Sequence, residues 1–433
     1  MDPQTVAVVG LGKIGLPLAA QFASKGLKVI GCDVLPEVVE TINRGESHIH
    51  EEAGLAEAVA NAVGEGKLRA TTDTSAAVAE VGTVVVIVPL MVDRARAMDY
   101  HNLDSATQAI ARGLQRGTLV IFETTLPVGT TRNRLGPMLE QGSGLKAGSD
   151  FFLAFSPERL YAGRIFQDLK MYPKIVGGVD AESTTRAVQF YRRVLDAEVQ
   201  AVDNVETAEF TKLAETTYRD VNIALANQLA LYGAAREVNV RQAFDAANTQ
   251  PFSHIHRPSI GVGGHCIPVY PHFLLNDAVN GELELVRVGR STNDGMASVA
   301  LKELSEALGG LKNRRVLVLG VAYRENVKEL AFSSAIPVIE QLHQAGADVL
   351  VNDPLFDPQE LVGLEAKQVD LNGSGPLDVD AVIMQANHSQ YRDLDWRRFR
   401  GLKVVLDGRG LLDPKPVRDA GARYLAIGVP GTS

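Results

Sequence analysis

Two short stretches of this 433-residue chain hold residues able to do chemistry. In "GVGGHC", residues 261–266, three glycines surround a histidine and a cysteine. The chain has only two cysteines, Cys32 and Cys266. A cysteine nucleophile needs access and help in becoming a thiolate. Gly263 and Gly264 are read as leaving room for another molecule beside the Cys266 sulfur, and Pro268 and Pro271 as fixing the chain beyond it. Cys32 lies within the apolar run "LKVIGCDV" and reads as inert packing.

The second stretch is "GLGKIG", where Gly10, Gly12 and Gly15 keep the G-x-G-x-x-G spacing after a strand and before a helix. Gly10 allows a tight turn, Gly12 lets backbone approach a pyrophosphate, and Gly15 lets helix and strand pack closely. The helix N-terminus offers unpaired N–H groups to phosphate. Asp33 ends the next strand, 18 residues after Gly15. A carboxylate there accepts from a ribose 2′-OH and repels a 2′-phosphate, so the cofactor is expected to be NAD rather than NADP. Lys13 and Ile14, inside the loop, and Pro89, closing "GTVVVIVP", are assigned to the cofactor with them. An NAD site plus an accessible cysteine points to aldehyde oxidation through a thioester. No metal ligand set is assigned.

These residues must be positioned by recognisable elements. "TVAVVG", "LKVIGCDV", "GTVVVIVP" and "GTLVIFETT" read as strands of an open parallel sheet with helices on both faces, and residues 13–25 as its first helix. From Val205 to about Val238, Gly and Pro are nearly absent. Phe210, Leu213, Tyr218, Val221, Leu225, Leu229 and Tyr232 recur at helical spacing, which predicts one long helix acting as a spine or a dimer interface. From Arg314 a loose copy of the N-terminal pattern begins. Gly346 and Asp353 stand where Gly26 and Asp33 stand in the first, but the full glycine fingerprint is lost. The copy is therefore expected to do something other than bind the same dinucleotide. The expected division is 1–200, an NAD-binding domain; 201–313, a central helical dimerisation domain; and 314–433, a second doubly wound domain.

Composition narrows the partners. A net charge of -9 without a basic run argues against a nucleic-acid backbone. No stretch of about 18 apolar residues suggests a membrane span. The N-terminus moves directly into a strand without a signal-peptide pattern, and two distant cysteines suggest no disulfide framework. A cytoplasmic location is expected.

At this point the chain strongly resembles the UDP-glucose/GDP-mannose dehydrogenase family. The resemblance covers nearly the whole length. It rests on "GLGKIG", "ETTLPVGTT", "SPERLYAG", "ETAEFTKLAETTYRDVNIALANQLA", "GVGGHCIP", "GVAYRENVK" and "DGRG", in family order. It implies an α/β fold of two Rossmann-like doubly wound domains joined by a long central helix, and a homodimer through that helix. It implies oxidation of the C6 alcohol of a UDP-sugar to a carboxylate with two NAD. Cys266 would be the nucleophile, and Lys212 would stabilise negative charge on the reacting oxygen. Thr125 would lie near the cofactor and position a water or hydroxyl. Glu158 would orient or activate the hydrolytic water. Arg159, Arg257, Gly263, Arg324 and Arg409, with Glu158 and Lys212, would face the sugar nucleotide. Guanidinium groups suit its diphosphate.

Three positions depart from the family pattern. Tyr270 and Thr216 stand where Asp and Asn are usual, and Ala331 where an arginine falls. They leave open an enzyme that stops at the aldehyde, or a protein that only binds nucleotide sugar. "GGHC", "SPER" and "YRDVNIALAN" look like the branch acting on UDP-N-acetylhexosamines, and Ala162 replaces a second glutamate of the glucose branch. A β-hydroxyacid dehydrogenase would share the first fingerprint, but it would need neither Cys266 nor a second α/β domain.

Overall fold

Runs of Val, Ile, Leu and Phe form strands covered on both faces, as parallel sheets require. The computed structural model describes residues 4–93, 96–161, 163–279, 281–373 and 375–430, so Ala162 lies outside it. The chain forms two compact units, Met1–Glu215 and Thr216–Ser433.

The first unit holds β1 (Thr5–Val9), β2 (Lys28–Cys32), β3 (Leu68–Thr71), β4 (Thr83–Val86), β5 (Leu119–Phe122), β6 (Phe152–Phe155), β7 (Lys174–Gly178) and β8 (Val199–Ala201). Their order is β8-β7-β6-β5-β4-β1-β2-β3. Side chains alternate between two cores. Val6, Val8, Val85 and Ile121 face one, while Ala7, Val9, Val84, Val86, Val120 and Phe122 face the other. The strand order reverses between β1 and β4, which opens a crevice beyond their carboxyl ends.

The expected all-parallel sheet holds only through β6. β7 pairs with β6 antiparallel, through Ala154–Gly178 and Phe155–Gly177, and β8 runs parallel to β7. The connection carrying Glu158 stays at the end of the sheet where β6 finishes, so β7 starts there and runs back. The first helix spans Gly15–Ser24, two residues shorter at its start than the sequence pattern suggests. Lys13 and Ile14 belong to the loop before it.

The long helix is present as Val205–Ala234, 30 residues, and runs from the first unit into the second. It stops before Val238 because the chain turns tightly back. A Cβ on Gly233 would lie 2.2 Å from Val240 Cγ2, Val238 N–H donates to Gly233 O at 3.0 Å, and Glu237 has φ +59°.

The second unit holds β9 (Arg315–Leu319), β10 (Asp348–Asn352), β11 (Lys367–Gln368), β12 (Ala381–Met384), β13 (Val404–Asp407) and β14 (Arg423–Ala426). They are all parallel, in the order β11-β10-β9-β12-β13-β14. Val316, Val318, Ile383 and Leu406 pack on one face, and Leu317, Leu319, Val382 and Val405 on the other. Both units are thus doubly wound Rossmann-like sheets with the same internal order.

The "DGRG" run closes β13. Asp407 accepts from Arg409 N at 3.0 Å, Gly410 N at 2.6 Å, Leu412 N at 2.7 Å and Tyr424 Oη at 3.0 Å. Asp407→Ala would leave those donors without an acceptor. It is expected to destabilise the protein by about 3 kcal/mol, read as a lower urea midpoint. An unchanged midpoint would mean that the buried carboxylate adds no net stability.

Candidate active site

The glycine loop follows β1. Gly10 has φ +92°, and a Cβ there would meet Ile87 O at 2.9 Å. A Cβ on Gly15 would lie 1.8 Å from Gly10 O, so only glycine permits this approach of helix and loop. Gly12 has open space where its Cβ would point. That open cradle before a helix N-terminus fits a dinucleotide pyrophosphate. Asp33 Oδ2 accepts from Leu11 N at 2.9 Å and Oδ1 from Leu35 N at 3.0 Å, so the carboxylate also ties β2 to the loop. Lys13 pairs with Glu51 at 3.2 Å on the surface. Pro89, after β4, and Thr125, after β5, complete this carboxyl-end rim, and Thr124 Oγ1 donates to Val88 O at 2.6 Å between their loops.

Glu158 and Arg159 follow β6. Glu158 Oε1 accepts from Leu160 N at 2.9 Å and from Arg159 N, while Oε2 lies 3.2 Å from Lys174 Nζ. Lys174 also reaches Glu123 at 2.7 Å, and the Tyr191 hydroxyl donates to the other Glu123 oxygen. Burial pushes the Glu123 carboxyl up, against the pull of Lys174 and helped by the Glu158 charge. Burial also opposes ionisation of Glu158, but Lys174, Glu123 and the Arg159 N–H outweigh it and lower its pKa. Arg159 Nε bonds Glu215 at 2.9 Å and its Nη1 donates to Pro173 O at 3.2 Å.

Lys212 lies on the long helix and is buried, only 8% exposed, so it is not a solvated helix lysine. One turn earlier, Glu209 accepts from Gly129 N and from Thr131 N at 2.8 Å. This carboxylate fastens the helix to the "PVGTT" loop. Burial pushes it up to about 7, although the Thr131 and Gly129 bonds oppose the shift.

In the second unit, Cys266 is partly exposed and its carbonyl accepts from Tyr270 N at 2.9 Å. Cys32, by contrast, is fully buried, and burial pushes its thiol up to about 12. The glycines before Cys266 serve packing within the unit rather than leaving room for another molecule. A Cβ on Gly263 would meet Tyr323 Cβ at 2.7 Å and Phe332 O at 2.9 Å. One on Gly264, φ +97°, would meet the Tyr323 ring at 3.0 Å. Gly264 N donates to Ala331 O at 2.8 Å, and His265 lies 3.4 Å from Glu329. The loop is thereby laid along the segment that follows β9.

Arg409 ties this region together. Its guanidinium donates to Gln385 O at 2.7 Å, Gly261 O at 3.1 Å, Tyr323 O at 3.1 Å and Gln385 Oε1 at 2.9 Å. Arg324 Nε donates to the Tyr323 hydroxyl at 3.0 Å. Cys266, Gly263, Arg324 and Arg409 are therefore neighbours through short backbone links. Arg257 stands apart, in an exposed pair with Asp245 at 2.7 Å. Asp353 repeats the Asp33 device, accepting from Val321 N at 2.7 Å and Ala322 N at 3.0 Å. His388 Nδ1 accepts from Asn326 N at 2.9 Å, so its Nε2 carries the proton toward Asp353 at 3.0 Å.

Sequence reasoning passed over Glu123, Lys174, Tyr191 and Glu209. Glu123 adjoins the quoted threonines, but a lysine opening "KIVGG" carries no local signal of burial. Among the described residues, no group of three or more His, Cys, Asp or Glu could hold a metal ion. No helix there is long and apolar enough to cross a membrane.

Three models of the UDP-glucose/GDP-mannose dehydrogenase family match the chain: the NAD binding domain at residues 4–195, the central domain at 206–295 and the UDP binding domain at 317–414. UDP-N-acetyl-D-mannosamine dehydrogenase of Pyrococcus horikoshii is 35% identical over 95% of this chain and 97% of its own. NDP-N-acetyl-D-galactosaminuronic acid dehydrogenase of Ralstonia nicotianae is 34% identical over 96% of this chain and 98% of its own. Among solved structures, the Pyrococcus horikoshii UDP-D-ManNAc dehydrogenase superposes with a TM-score of 0.88 at 34% identity, covering 99% of this chain and 100% of that one. The chain belongs to the UDP-glucose/GDP-mannose dehydrogenase family, and it is an NAD-dependent nucleotide-sugar dehydrogenase.

Asp33→Ala is expected to raise the Kd for NAD by roughly tenfold or more, measured by calorimetric titration. An unchanged Kd would remove the ribose assignment at this strand end. Glu209 gives a second test. The folded state keeps its proton up to about pH 7, whereas the unfolded chain releases it near the ordinary 4.5. Stability from this group is therefore present below pH 4.5 and lost as pH rises through about 7. Glu209→Gln should flatten the fall of the melting midpoint across that window, and an identical fall in both proteins would contradict it.

Proposed function

We propose that this dehydrogenase oxidises the C6 hydroxyl of a UDP-N-acetylhexosamine to a carboxylate in two hydride transfers, through a thioester on Cys266. The observation that carries the reading is Cys266 itself. It is the accessible thiol of the two, on a loop laid along the segment bearing Arg324 and tied down by Arg409. The names of the relatives, which specify N-acetylated nucleotide sugars, support the substrate class.

Bound NAD supplies the hydride acceptor for both oxidations, two equivalents per sugar. Gly10, Gly12, Lys13, Ile14 and Gly15 hold its phosphates, Asp33 its ribose, and Pro89 and Thr125 line its other side. In the first oxidation the C–H bond of C6 gives up a hydride, which NAD would accept, and the hydroxyl gives its proton to water. The Lys212 ammonium stabilises negative charge on that oxygen. The Cys266 thiolate then adds to the aldehyde carbon, and the thiohemiacetal loses the second hydride to become a thioester. Glu158, with Thr125 positioning the water, takes a proton as water attacks. The C–S bond breaks, which restores the Cys266 thiolate, and the carboxylate product leaves. Arg159, Arg257, Gly263, Arg324 and Arg409 serve the nucleotide-sugar side, with Arg409 acting chiefly by holding loops.

The three-part division at 1–200, 201–313 and 314–433 belongs to this proposal, as do a cytoplasmic setting and a homodimer through the long helix. Tyr218, Leu225, Leu229 and Tyr232 support the dimer, being exposed at positions that recur every three, four or seven residues on one helix. Tyr270 and Thr216 keep a second reading alive, in which oxidation stops at the aldehyde.

NADH formed per UDP-sugar consumed, across UDP-glucose and the UDP-N-acetylhexosamines, separates the two readings. A ratio near two is expected, and a ratio near one means that the aldehyde is the product. Cys266→Ala should abolish carboxylate formation and leave the NAD Kd unchanged. Carboxylate formed at the wild-type rate would remove the thioester. Leu225→Arg should convert the dimer to monomer in sedimentation velocity, and a wild-type sedimentation coefficient would exclude this helix face as the interface.

A further inference from the structure

The reversal of β7 has a chemical consequence. Running antiparallel to β6, it places its first residue, Lys174, at the edge where β5 and β6 finish. Lys174 there bridges Glu123, just past β5, and Glu158, just past β6, at 2.7 and 3.2 Å. Side-chain exposure is 7% for Lys174, 0% for Glu123 and 13% for Glu158. Tyr191, from the helix Ala181–Val194, donates to Glu123, and Lys174 Nζ lies 5.1 Å from the centre of its ring. Just beyond, Arg159 is held by Glu215 at 2.9 Å.

A buried ion cluster is weak evidence for stability, because desolvation offsets the Coulomb attraction. What it provides here is a fixed orientation. Glu158 has one oxygen on the Arg159 and Leu160 N–H groups and the other on Lys174. Without Lys174, two buried carboxylates would face each other, and one would take a proton or swing away. A protonated Glu158 cannot accept a proton from water.

We infer that Lys174 and Glu123 are positioning residues for thioester hydrolysis, Lys174 holding Glu158 ionised and oriented and Glu123 fixing Lys174 in place. This rests on the role assigned to Glu158 above. The inference concerns only the last step, so it predicts a specific kinetic signature. Both hydride transfers precede hydrolysis, so an enzyme slowed there should release two NADH per subunit in a burst. It should then stall with the sugar acyl group on Cys266.

The test compares wild type, Lys174→Met, Lys174→Arg, Glu123→Gln and Glu158→Gln by stopped flow, using the best substrate of the UDP-sugar panel. Intact-protein mass spectrometry reads the adduct. Lys174→Met and Glu123→Gln are expected to keep the two-NADH burst, turn over roughly tenfold or more slowly, and carry the adduct. Lys174→Arg, which keeps the charge, should recover part of the rate. If Glu158→Gln stalls with the adduct while Lys174→Met and Glu123→Gln turn over as wild type does, the inference fails and the Glu158 role stands. If Glu158→Gln turns over normally, the role of Glu158 fails and the inference falls with it. Burst and turnover lost together in the Lys174 and Glu123 variants would mark a merely structural role and overturn it. Lys174→Arg and Glu123→Gln preserve size and hydrogen bonding, so the comparison survives if Lys174→Met does not fold.

Discussion

Parallel strands end in loops whose N–H groups have no ladder partner, and buried donors must find acceptors. This chain meets the requirement repeatedly with carboxylates. Asp33 holds the glycine loop, Glu209 the "PVGTT" loop, and Glu158 the turn after β6. Glu52 accepts from Gly163 N at 2.9 Å and Ile165 N at 2.8 Å. Asp353 and Asp407 do the same after β10 and β13. The functional loops keep their shape because carboxyl oxygens have been placed among their backbone donors.

That solution sets the electrostatics of the first unit. A carboxylate taken out of water resists ionisation unless charge or hydrogen bonds compensate. Burial pushes Glu209 up against the Thr131 and Gly129 hydrogen bonds, whereas Glu158 has Lys174 and is held down. Lys174 prevails over burial at Glu158 but not at Glu123, which burial pushes up although the same lysine touches it. The cation is available only because β7 runs backwards.

The two units share one plan and diverge in its details. Gly320 repeats Gly10, with φ +79° and a Cβ position 2.3 Å from Ala386 O. Two residues on, the open space beside Gly12 has no counterpart. Ala322 carries a methyl group there, and its N–H is taken by Asp353. Fewer loop donors remain for a phosphate, which explains how a doubly wound unit matched as a UDP binding domain can lack a second dinucleotide cradle. His388, buried against Asp353, secures the segment after Gly320 instead.

The amino-acid sequence determined what is local. Short unbroken runs of apolar residues specified the strands, and a long run nearly without Gly or Pro specified the helix Val205–Ala234. The turns at Gly10 and Gly15 follow from backbone geometry that only glycine tolerates. The thiol in the glycine run was legible too, although its glycines pack against Tyr323 rather than keep space open. Tertiary structure decided everything that depends on distant partners. Lys212 could have been a surface lysine and is buried, while Arg257 is exposed and has Asp245 as an ion-pair partner. Arg409 could have been a free phosphate ligand and is bonded to four carbonyl oxygens. Glu123 and Lys174 stand 51 residues apart, and no spacing rule joins them. A charge acquires its character from the dielectric and the partners around it, and these exist only once β5, β6 and the reversed β7 have come together.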